Sequence, residues 1–335
     1  MNHLSVIWSL LAGIAIFLLG MNMLEESMKQ LAGRPFKLFL KKQSSSRPKA
    51  IIGGAVVTAI LQSSSVVNLM VLGFVGANVL EMQHALALML GSNLGTTFSS
   101  WIIATVGFRM NIENIAYPLA GIAGLSMLLS GKNSMLQNWS RLLFGTGLLF
   151  MGLNMIRNGM ESSLFVIDLS AFNKYPLIIF LITGFALTAI IQSSTVTIAI
   201  VLSALHTGAI ELIAAMAIVL GAETGTILKL VLASMKGLAA KKRVALGNLL
   251  FNSITTIIVF ILIYPVYRFI TETIMIKDNL LALVFFQSFV NITGIVLFYP
   301  FLNIFTQFLE NRFRDNADES LYISKVAASD TELAI

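Results

Sequence analysis

Long apolar segments separated by short polar stretches make up most of this chain. A helix of about 20 apolar residues is long enough to cross the hydrocarbon core of a bilayer, and runs near or above that length recur between residues 6 and 308. The apolar positions are continuous rather than alternating, which argues against a membrane barrel. The pattern therefore predicts an all-α polytopic membrane protein. The predicted hydrophobic segments are residues 6–24, 51–77, 79–107, 115–130, 141–158, 176–205, 209–235, 244–270 and 280–308.

The composition agrees with this prediction and argues against several classes of protein. Of the 335 residues, 57% are hydrophobic and only 11% are charged, whereas an ordinary soluble protein carries about 25% charged residues. Basic loops on one membrane face explain the formal net charge of +6, so no nucleic-acid partner is expected. The sequence has no cysteine, which excludes disulfides and thiolate metal sites. The first segment lacks a basic n-region and a cleavage site, which predicts a retained span.

The few charged residues mark the sides of the membrane. Residues 25–50 form a loop with the densest basic cluster, and the loop at residues 236–243 holds another. By the positive-inside rule both loops are cytoplasmic, and so is the C-terminal tail at 309–335, which is too short for a folded domain and is expected to be flexible. Residues 159–175 and 271–279 have no basic excess, and we place them on the outer side.

An internal repeat is the most informative feature of the sequence. Thr58–Val66 aligns with Thr188–Val196 at an offset of 130, and Leu90–Thr97 aligns with Leu220–Ile227 at the same offset. Agreement of several polar blocks at one spacing indicates a tandem duplication. The predicted units are transport repeat 1 at 6–131, transport repeat 2 at 141–270, a final transmembrane span at 280–308 and the tail at 309–335.

The sidedness of the loops predicts that the two repeats have inverted topologies. The basic 25–50 loop is inside, whereas its equivalent at 159–175 is outside. The chain between 159–175 and 236–243 must then cross an odd number of times, although it holds two apolar segments. One of these is expected to be a re-entrant helical hairpin, and the Gln-Ser-Ser segments are the candidates. The others are predicted to cross as broken helices, interrupted at Gly91–Thr97 and Gly221–Thr226, as in secondary transporters.

The polar blocks offer oxygen and amide groups but no fixed charge. Hydroxyls can donate to an oxyanion or coordinate a small hard cation, and glutamine can do either. If the hairpin tips begin half-helices, free N–H groups would also face an anion. Because neither block contains Arg or Lys, a bound anion is expected to need a co-bound cation. The glycines at 91, 95, 221 and 225 would permit an unwound backbone that holds Na⁺, aided by Asn93, Thr96, Thr97, Thr224 and Thr226.

Several alternatives stay open at this stage. Any single Ser, Thr or Gly in a membrane helix could serve only helix packing. Asn22 and Asn154 could be packing or site residues. We interpret the remaining polar groups as structural, with helix caps at Glu81 and Glu211 near Asn78 and Gly208, and with structural roles for His84 and His206. The functional alternatives are a transporter of another oxyanion or small carboxylate, a passive channel and, more remotely, an intramembrane serine hydrolase, which lacks a nucleophile elbow here.

The two Gln-Ser-Ser blocks, joined to Gly91–Thr97, resemble the type II sodium–phosphate cotransporter family over about residues 6–270. The resemblance implies a symporter of inorganic phosphate in a bacterial plasma (inner) membrane, with Na⁺ as coupling ion, no other cofactor and alternating access. Whether it forms a homo-oligomer stays open. The implied phosphate-binding residues are Gln62, Ser63, Ser64, Ser65, Gln192, Ser193, Ser194 and Thr195. The implied sodium-binding residues are Gln62, Ser65, Asn93, Thr96, Gln192, Thr195, Glu223, Thr224 and Thr226.

The second glycine-rich block departs from the pattern of that family. Glu223 stands where the family usually has Asn, and the block continues to Lys229. An ionisable residue at membrane depth is a functional candidate. Glu223 could coordinate Na⁺, carry a coupling proton or pair with Lys229, and we prefer the ligand interpretation because the two are not at helical i,i+4 spacing.

Overall fold

The structure is a computed structural model that describes residues 3–43, 45–110, 112–130, 135–163, 175–235 and 237–313. Every regular element within these ranges is helical, and two short π-helical segments, Ile103–Gly107 and Phe269–Thr273, extend neighbouring helices. The α-helices are α1 (His3–Gln43), α2 (Arg47–Leu61), α3 (Ser64–Gly76), α4 (Met82–Ile102), α5 (Ile112–Leu129), α6 (Met135–Ser163), α7 (Leu177–Ile191), α8 (Ser194–His206), α9 (Leu212–Gly225), α10 (Ile227–Ser234), α11 (Ala239–Ile261), α12 (Ile263–Arg268), α13 (Asn279–Phe298) and α14 (Leu302–Glu310).

The apolar helices are those of a membrane protein. Within the described ranges, five helical stretches are long and apolar enough to cross a bilayer, and several shorter apolar helices lie beside them. Many apolar side chains face outward, among them Ile122, Leu128 and Ile190, as expected of a surface in contact with lipid. The five stretches are Leu4–Leu31, Met82–Gly107, Leu212–Ser234, Ala239–Ile261 and Asn279–Phe298.

The prediction of a loop over 25–50 is wrong for most of that segment. Helix α1 continues without interruption to Gln43, and α2 begins at Arg47. The 41 residues of α1 correspond to about 60 Å at 1.5 Å per residue, roughly twice the hydrocarbon thickness of a bilayer. Lys and Leu, which are good helix formers, are frequent in this segment and allow the helix to extend beyond the apolar run, although it contains Pro35.

Each Gln-Ser-Ser block forms a turn between two helices. Gln62 ends α2 with φ 55° and ψ 21°, and Gln192 ends α7 with φ 60° and ψ 24°. Ser63 and Ser193 are extended and directly precede α3 and α8. The left-handed residue stops the first helix and the extended residue starts the second. The two tips therefore have matching backbone conformations, and each begins a helix as the sequence suggested.

The predicted unwound segment is absent from the first copy and reduced to one residue in the second. Helix α4 is continuous through Gly91–Thr97 and becomes π-helical only at Ile103, whereas α9 ends at Gly225 and α10 begins after Thr226. Thr226 itself has near-helical angles, φ −63° and ψ −23°. The glycines serve close packing instead of unwinding. A Cβ on Gly91 would lie 1.8 Å from the carbonyl oxygen of Ile51, and a Cβ on Gly221 would lie 1.9 Å from that of Leu181.

We expect Gly221→Ala to destabilise the protein, because the methyl group would force α9 away from α7. Overpacking of this kind typically costs about 1–3 kcal/mol. Gly121→Ala is a matched control, since a Cβ at that position meets nothing within 4 Å and Ala favours a helix over Gly. Thermal unfolding in detergent should therefore occur at a lower temperature in Gly221→Ala and at an unchanged or higher temperature in Gly121→Ala. Equal unfolding temperatures in the two variants would contradict the packing role.

The predicted helix caps are only partly correct. Glu81 and Glu211 occupy the residue before α4 and α9, but neither side chain caps its helix with a hydrogen bond. The Glu81 carboxylate lies 3.5 Å from Nδ1 of His84. Asn78 and Gly208 have positive φ values of 53° and 76° and belong to the turns before these residues rather than to the helix starts.

Candidate functional site

The two tips enclose one cavity of about 210 Å³. All of the residues predicted to contact phosphate line it, and helices α1 and α10 close it from other sides. Polar atoms dominate its wall, in contrast to the apolar surface of the surrounding helices. The lining residues are Leu18, Met21, Asn22, Glu25, Gln62, Ser63, Ser64, Ser65, Ile191, Gln192, Ser193, Ser194, Thr195, Thr226 and Lys229.

Two helix N-termini contribute to this cavity. Ser64 and Ser65 belong to the first turn of α3, and Ser194 and Thr195 belong to the first turn of α8. The first N–H groups of a helix have no partner within the helix, and the helix dipole adds partial positive charge there. A cavity lined by two such turns and by hydroxyl groups suits a small oxyanion.

Two charged side chains from outside the tips also line the cavity. Lys229 comes from α10 and Glu25 from α1, and both are partly buried. The Glu25 carboxylate lies within hydrogen-bonding reach of the Ser63 side chain. The Gln-Ser-Ser blocks themselves hold no fixed positive charge. Lys229, which the sequence offered only as a partner for Glu223, supplies one from α10. Because the formal charges of Lys229 and Glu25 cancel, the cavity gains no net positive charge from them.

The amide of Gln62 is already engaged in hydrogen bonds. Its Oε1 accepts from Ser99 Oγ at 2.7 Å, and its Nε2 donates to the carbonyl of Ala59. Ser63 Oγ accepts from the backbone N–H of Val66 at 3.4 Å. These bonds hold the first tip in place on α4 and leave the hydroxyls of Ser64 and Ser65 to face the cavity.

A second polar cluster surrounds Glu223, which is only 6% exposed. Its Oε1 accepts from Nε2 of Gln287 on α13 at 2.6 Å. Asn93, which donates to Oδ1 of Asn252 at 2.8 Å, lines the same small cavity as Glu223. In addition, Oε1 of Gln287 and Oγ1 of Thr255 are buried without a hydrogen-bond partner. A carboxylate next to unpaired oxygen acceptors is a chemically suitable environment for a hard cation.

The predicted sodium ligands therefore fall into separate groups. The main cavity takes in five of them, Glu223 and Asn93 line the small cavity, and the remaining two line neither of these cavities. The hydroxyl of Thr96 donates to the carbonyl of Ser92 at 3.2 Å, and that of Thr224 lies 3.1 Å from the carbonyl of Leu220. The ligands in the main cavity are Gln62, Ser65, Gln192, Thr195 and Thr226.

Glu223 and Lys229 do not form the ion pair that the sequence left open. Within the described ranges Glu223 bonds to Gln287, whereas Lys229 faces the main cavity with Glu25. Glu223 belongs to α9 and Lys229 to α10. The two side chains therefore belong to different cavities.

The two histidines near the segment ends lie apart from the serine-rich tips. His84 pairs with Glu81, and the ring of His206 packs against that of Phe108 at an interplanar angle of 49°, with centroids 5.1 Å apart. Neither His84 nor His206 lines the main cavity, so neither is placed to act as a base for a serine nucleophile there.

Comparison with known proteins decides the family. The model of the Na⁺/Pi-cotransporter family matches residues 16–158 and 169–293. The chain belongs to the Na⁺/Pi-cotransporter family. This is a family of transporters. The name of the family refers to phosphate and sodium. No solved structure matches the chain.

Named relatives of this Na⁺/Pi-cotransporter family member come from bacteria. The chain is 31% identical over 310 residues to "Uncharacterized protein YqeW" of Bacillus subtilis, covering 90% of this chain and 96% of that protein. It is 26% identical over 336 residues to "Putative inorganic phosphate export protein YjbB" of Salmonella typhimurium, covering 96% of this chain and 59% of that protein. The Escherichia coli K12 protein of the same name is 26% identical over 319 residues, covering 92% of this chain and 56% of that protein. The chain thus spans little more than half the length of the YjbB proteins.

Sequence reasoning missed three groups in this cotransporter family member. Glu25 was assigned to a loop because the first apolar run was ended at residue 24, although the candidate span reaches Leu31. Gln287 and Asn291 lie in the final span, outside both repeats, and reach Glu223 only in the folded chain. A polar residue inside an apolar span is the signal that identifies such positions.

Proposed function

We propose that this protein is a sodium-coupled symporter of inorganic phosphate that works by alternating access in a bacterial inner membrane. The observation that carries the proposal is the single cavity between the two Gln-Ser-Ser tips, which combines two helix N-termini, hydroxyl groups and Lys229. Membership in the Na⁺/Pi-cotransporter family and the printed name of the YjbB relatives support phosphate as the substrate.

Phosphate binds between the tips in this proposal. Backbone N–H groups of the first turns of α3 and α8 donate to its oxygens, as do the hydroxyls of the serine and threonine side chains. Lys229 adds a charge-assisted hydrogen bond. The phosphate ligands are then Gln62, Ser63, Ser64, Ser65, Gln192, Ser193, Ser194 and Thr195, with Lys229 added to the set that the sequence predicted.

Sodium ions bind both at the tips and at the Glu223 cluster. In the main cavity the oxygen ligands are Gln62, Ser65, Gln192, Thr195 and Thr226. At the Glu223 cluster the carboxylate is joined by unpaired oxygens of Gln287 and Thr255. Asn93 lines the Glu223 cavity as well as a small cavity beside Lys229. This common wall connects the two regions and couples Na⁺ binding to phosphate binding.

Alternating access follows from the proposed inverted arrangement of the repeats. The tips at Gln62 and Gln192 have nearly identical backbone angles, which supports equivalent helical hairpins. Their approach from opposite faces rests on the charges of the flanking segments. With the basic segments 25–50 and 236–243 and the tail on the cytoplasmic side, movement of one unit against the other exposes the cavity to each side in turn. The direction of net flux is then set by the combined gradients.

A transporter of another oxyanion or small carboxylate is the second candidate, because neutral donors do not distinguish phosphorus from other central atoms. A passive channel is a weaker candidate, because it gives no reason for two polar helix tips that meet at one cavity. Saturation of uptake and competition between anions separate these candidates from a phosphate symporter.

The proposal is tested by reconstituting the purified protein into liposomes and measuring uptake of radiolabelled phosphate. We expect an inward Na⁺ gradient to drive saturable accumulation above the external concentration, and an equal K⁺ gradient to drive none. A non-saturating flux that persists after the Na⁺ gradient is collapsed would instead indicate a channel.

A further inference from the structure

The cavity that is proposed to hold phosphate also contains the carboxylate of Glu25, whose negative charge opposes the binding of an anion. Glu25 lines the same cavity as Lys229 and the first turns of α3 and α8. Like charges repel one another, and the repulsion grows in a partly buried site. A neutral side chain at this position would bind any anion better, so Glu25 is unfavourable for binding oxyanions in general.

Glu25 lies beside the first tip. Its carboxylate is within hydrogen-bonding reach of Ser63, the residue that caps α3 by accepting from the N–H of Val66. An ionised carboxylate has two oxygens and about four lone-pair positions. A bond from Ser63 to one of these oxygens would leave further acceptor positions for a group inside the cavity.

Phosphate and sulfate differ in the group that such an acceptor recognises. At neutral pH inorganic phosphate is a mixture of HPO₄²⁻ and H₂PO₄⁻, so every ion carries at least one O–H donor. Arsenate has the same protonation states in this range, whereas sulfate is SO₄²⁻ and carries no proton. A carboxylate can accept a short charge-assisted bond from a P–OH or As–OH group. Sulfate oxygens are acceptors as well, so the carboxylate can form no hydrogen bond with sulfate.

We propose that Glu25 is the specificity-determining residue that selects protonated oxyanions, phosphate and arsenate, over sulfate. The inference rests on the proposed function and extends it to the basis of substrate selection. Lys229 and the helix N-termini attract all tetrahedral anions, and Glu25 rejects those without a proton. A site built around one hydrogen bond rejects analogues that cannot form it by large factors, since the buried group is left unpaired.

The test is inhibition of Na⁺-driven phosphate uptake by arsenate and by sulfate in proteoliposomes. In the wild-type protein arsenate should compete well and sulfate at least about 100-fold more weakly. Glu25→Gln keeps the shape of the side chain and adds an N–H donor that sulfate can use. In this variant the preference for arsenate over sulfate should fall by about 10-fold or more, since the repulsive acceptor has been removed.

Glu26→Gln is the matched control. Glu26 is the next residue of the same helix, is exposed and does not line the cavity. The Glu26→Gln substitution removes the same charge from the same helix turn. It should leave the ratio of inhibition by arsenate to inhibition by sulfate at the wild-type value. A ratio that falls equally in Glu26→Gln and Glu25→Gln would overturn the proposal in favour of a general effect of charge.

A second readout covers the case in which Glu25→Gln binds anions but does not transport them. A ligand that binds the folded protein raises its unfolding temperature. In detergent, phosphate but not sulfate should stabilise the wild-type protein, whereas both anions should stabilise Glu25→Gln. A wild-type protein that sulfate stabilises as well as phosphate overturns the inference and leaves phosphate transport intact. Absence of phosphate uptake by the wild-type protein contradicts the proposed function instead.

Discussion

Lys229→Met should raise the KM for phosphate by at least about 10-fold. The lysine is the positively charged side chain among the residues that line the main cavity, and a hydrogen bond to a charged group contributes about 1.5–3 kcal/mol. Each 1.4 kcal/mol corresponds to a factor of ten in affinity. The measurement is the concentration dependence of phosphate uptake at saturating Na⁺.

Two variants accompany this measurement. Lys229→Arg keeps the charge and should restore most of the affinity, although its planar group has a different shape. Lys277→Met removes a lysine that is exposed and lies outside the cavity, and its KM should equal that of the wild type. A Lys229→Met protein with unchanged KM would exclude the lysine from the phosphate site.

Glu223→Gln should lower the apparent affinity for Na⁺ by about 10-fold or more, because it removes the one carboxylate among the residues lining the small cavity. Replacing a charged oxygen ligand by an amide leaves the site with neutral donors only. The Na⁺ concentration that gives half-maximal phosphate uptake should rise, while the KM for phosphate at very high Na⁺ should change little.

Glu211→Gln is the matched control for this change. Glu211 is an exposed acid that precedes the same helix, α9, and makes no capping hydrogen bond. Its Na⁺ dependence should match that of the wild type. If Glu223→Gln keeps both its transport rate and its Na⁺ dependence, Glu223 has no part in the mechanism.

The sequence predicted the tips because they depend on local chemistry. A polar Gln-Ser pair inside an apolar run interrupts a helix at that point, and the left-handed angles of Gln62 and Gln192 agree with that interruption. Where local chemistry determines the structure, the position of the site residues could be read from the chain.

The prediction for α4 failed because glycine has two opposite uses. It permits unwinding, but it also permits close approach of helices, and the sequence alone does not distinguish them. The close approach of the Ile51 carbonyl to Gly91 shows that this glycine serves helix packing. That contact joins residues far apart in sequence, and no local pattern reports it.

The prediction of the charged residues in the site was incomplete for a similar reason. Lys229 was compared only with Glu223, six positions earlier, although it faces Glu25 across the cavity. Gln287 reaches Glu223 from a helix 64 residues away. Both contacts depend on how α1, α10 and α13 pack around the tips, so the elements could be predicted while their side-chain pairs could not.

The central claim is that the two glutamine tips form one Na⁺-coupled phosphate site. The most direct measurement is Na⁺-gradient-driven phosphate uptake in proteoliposomes by the wild-type protein, by Gln62→Ala and by Gln192→Ala. The claim predicts concentrative uptake by the wild type and a loss of at least about 10-fold in uptake at low phosphate for each variant. Normal uptake by both variants, or wild-type uptake that ignores the Na⁺ gradient, would contradict it.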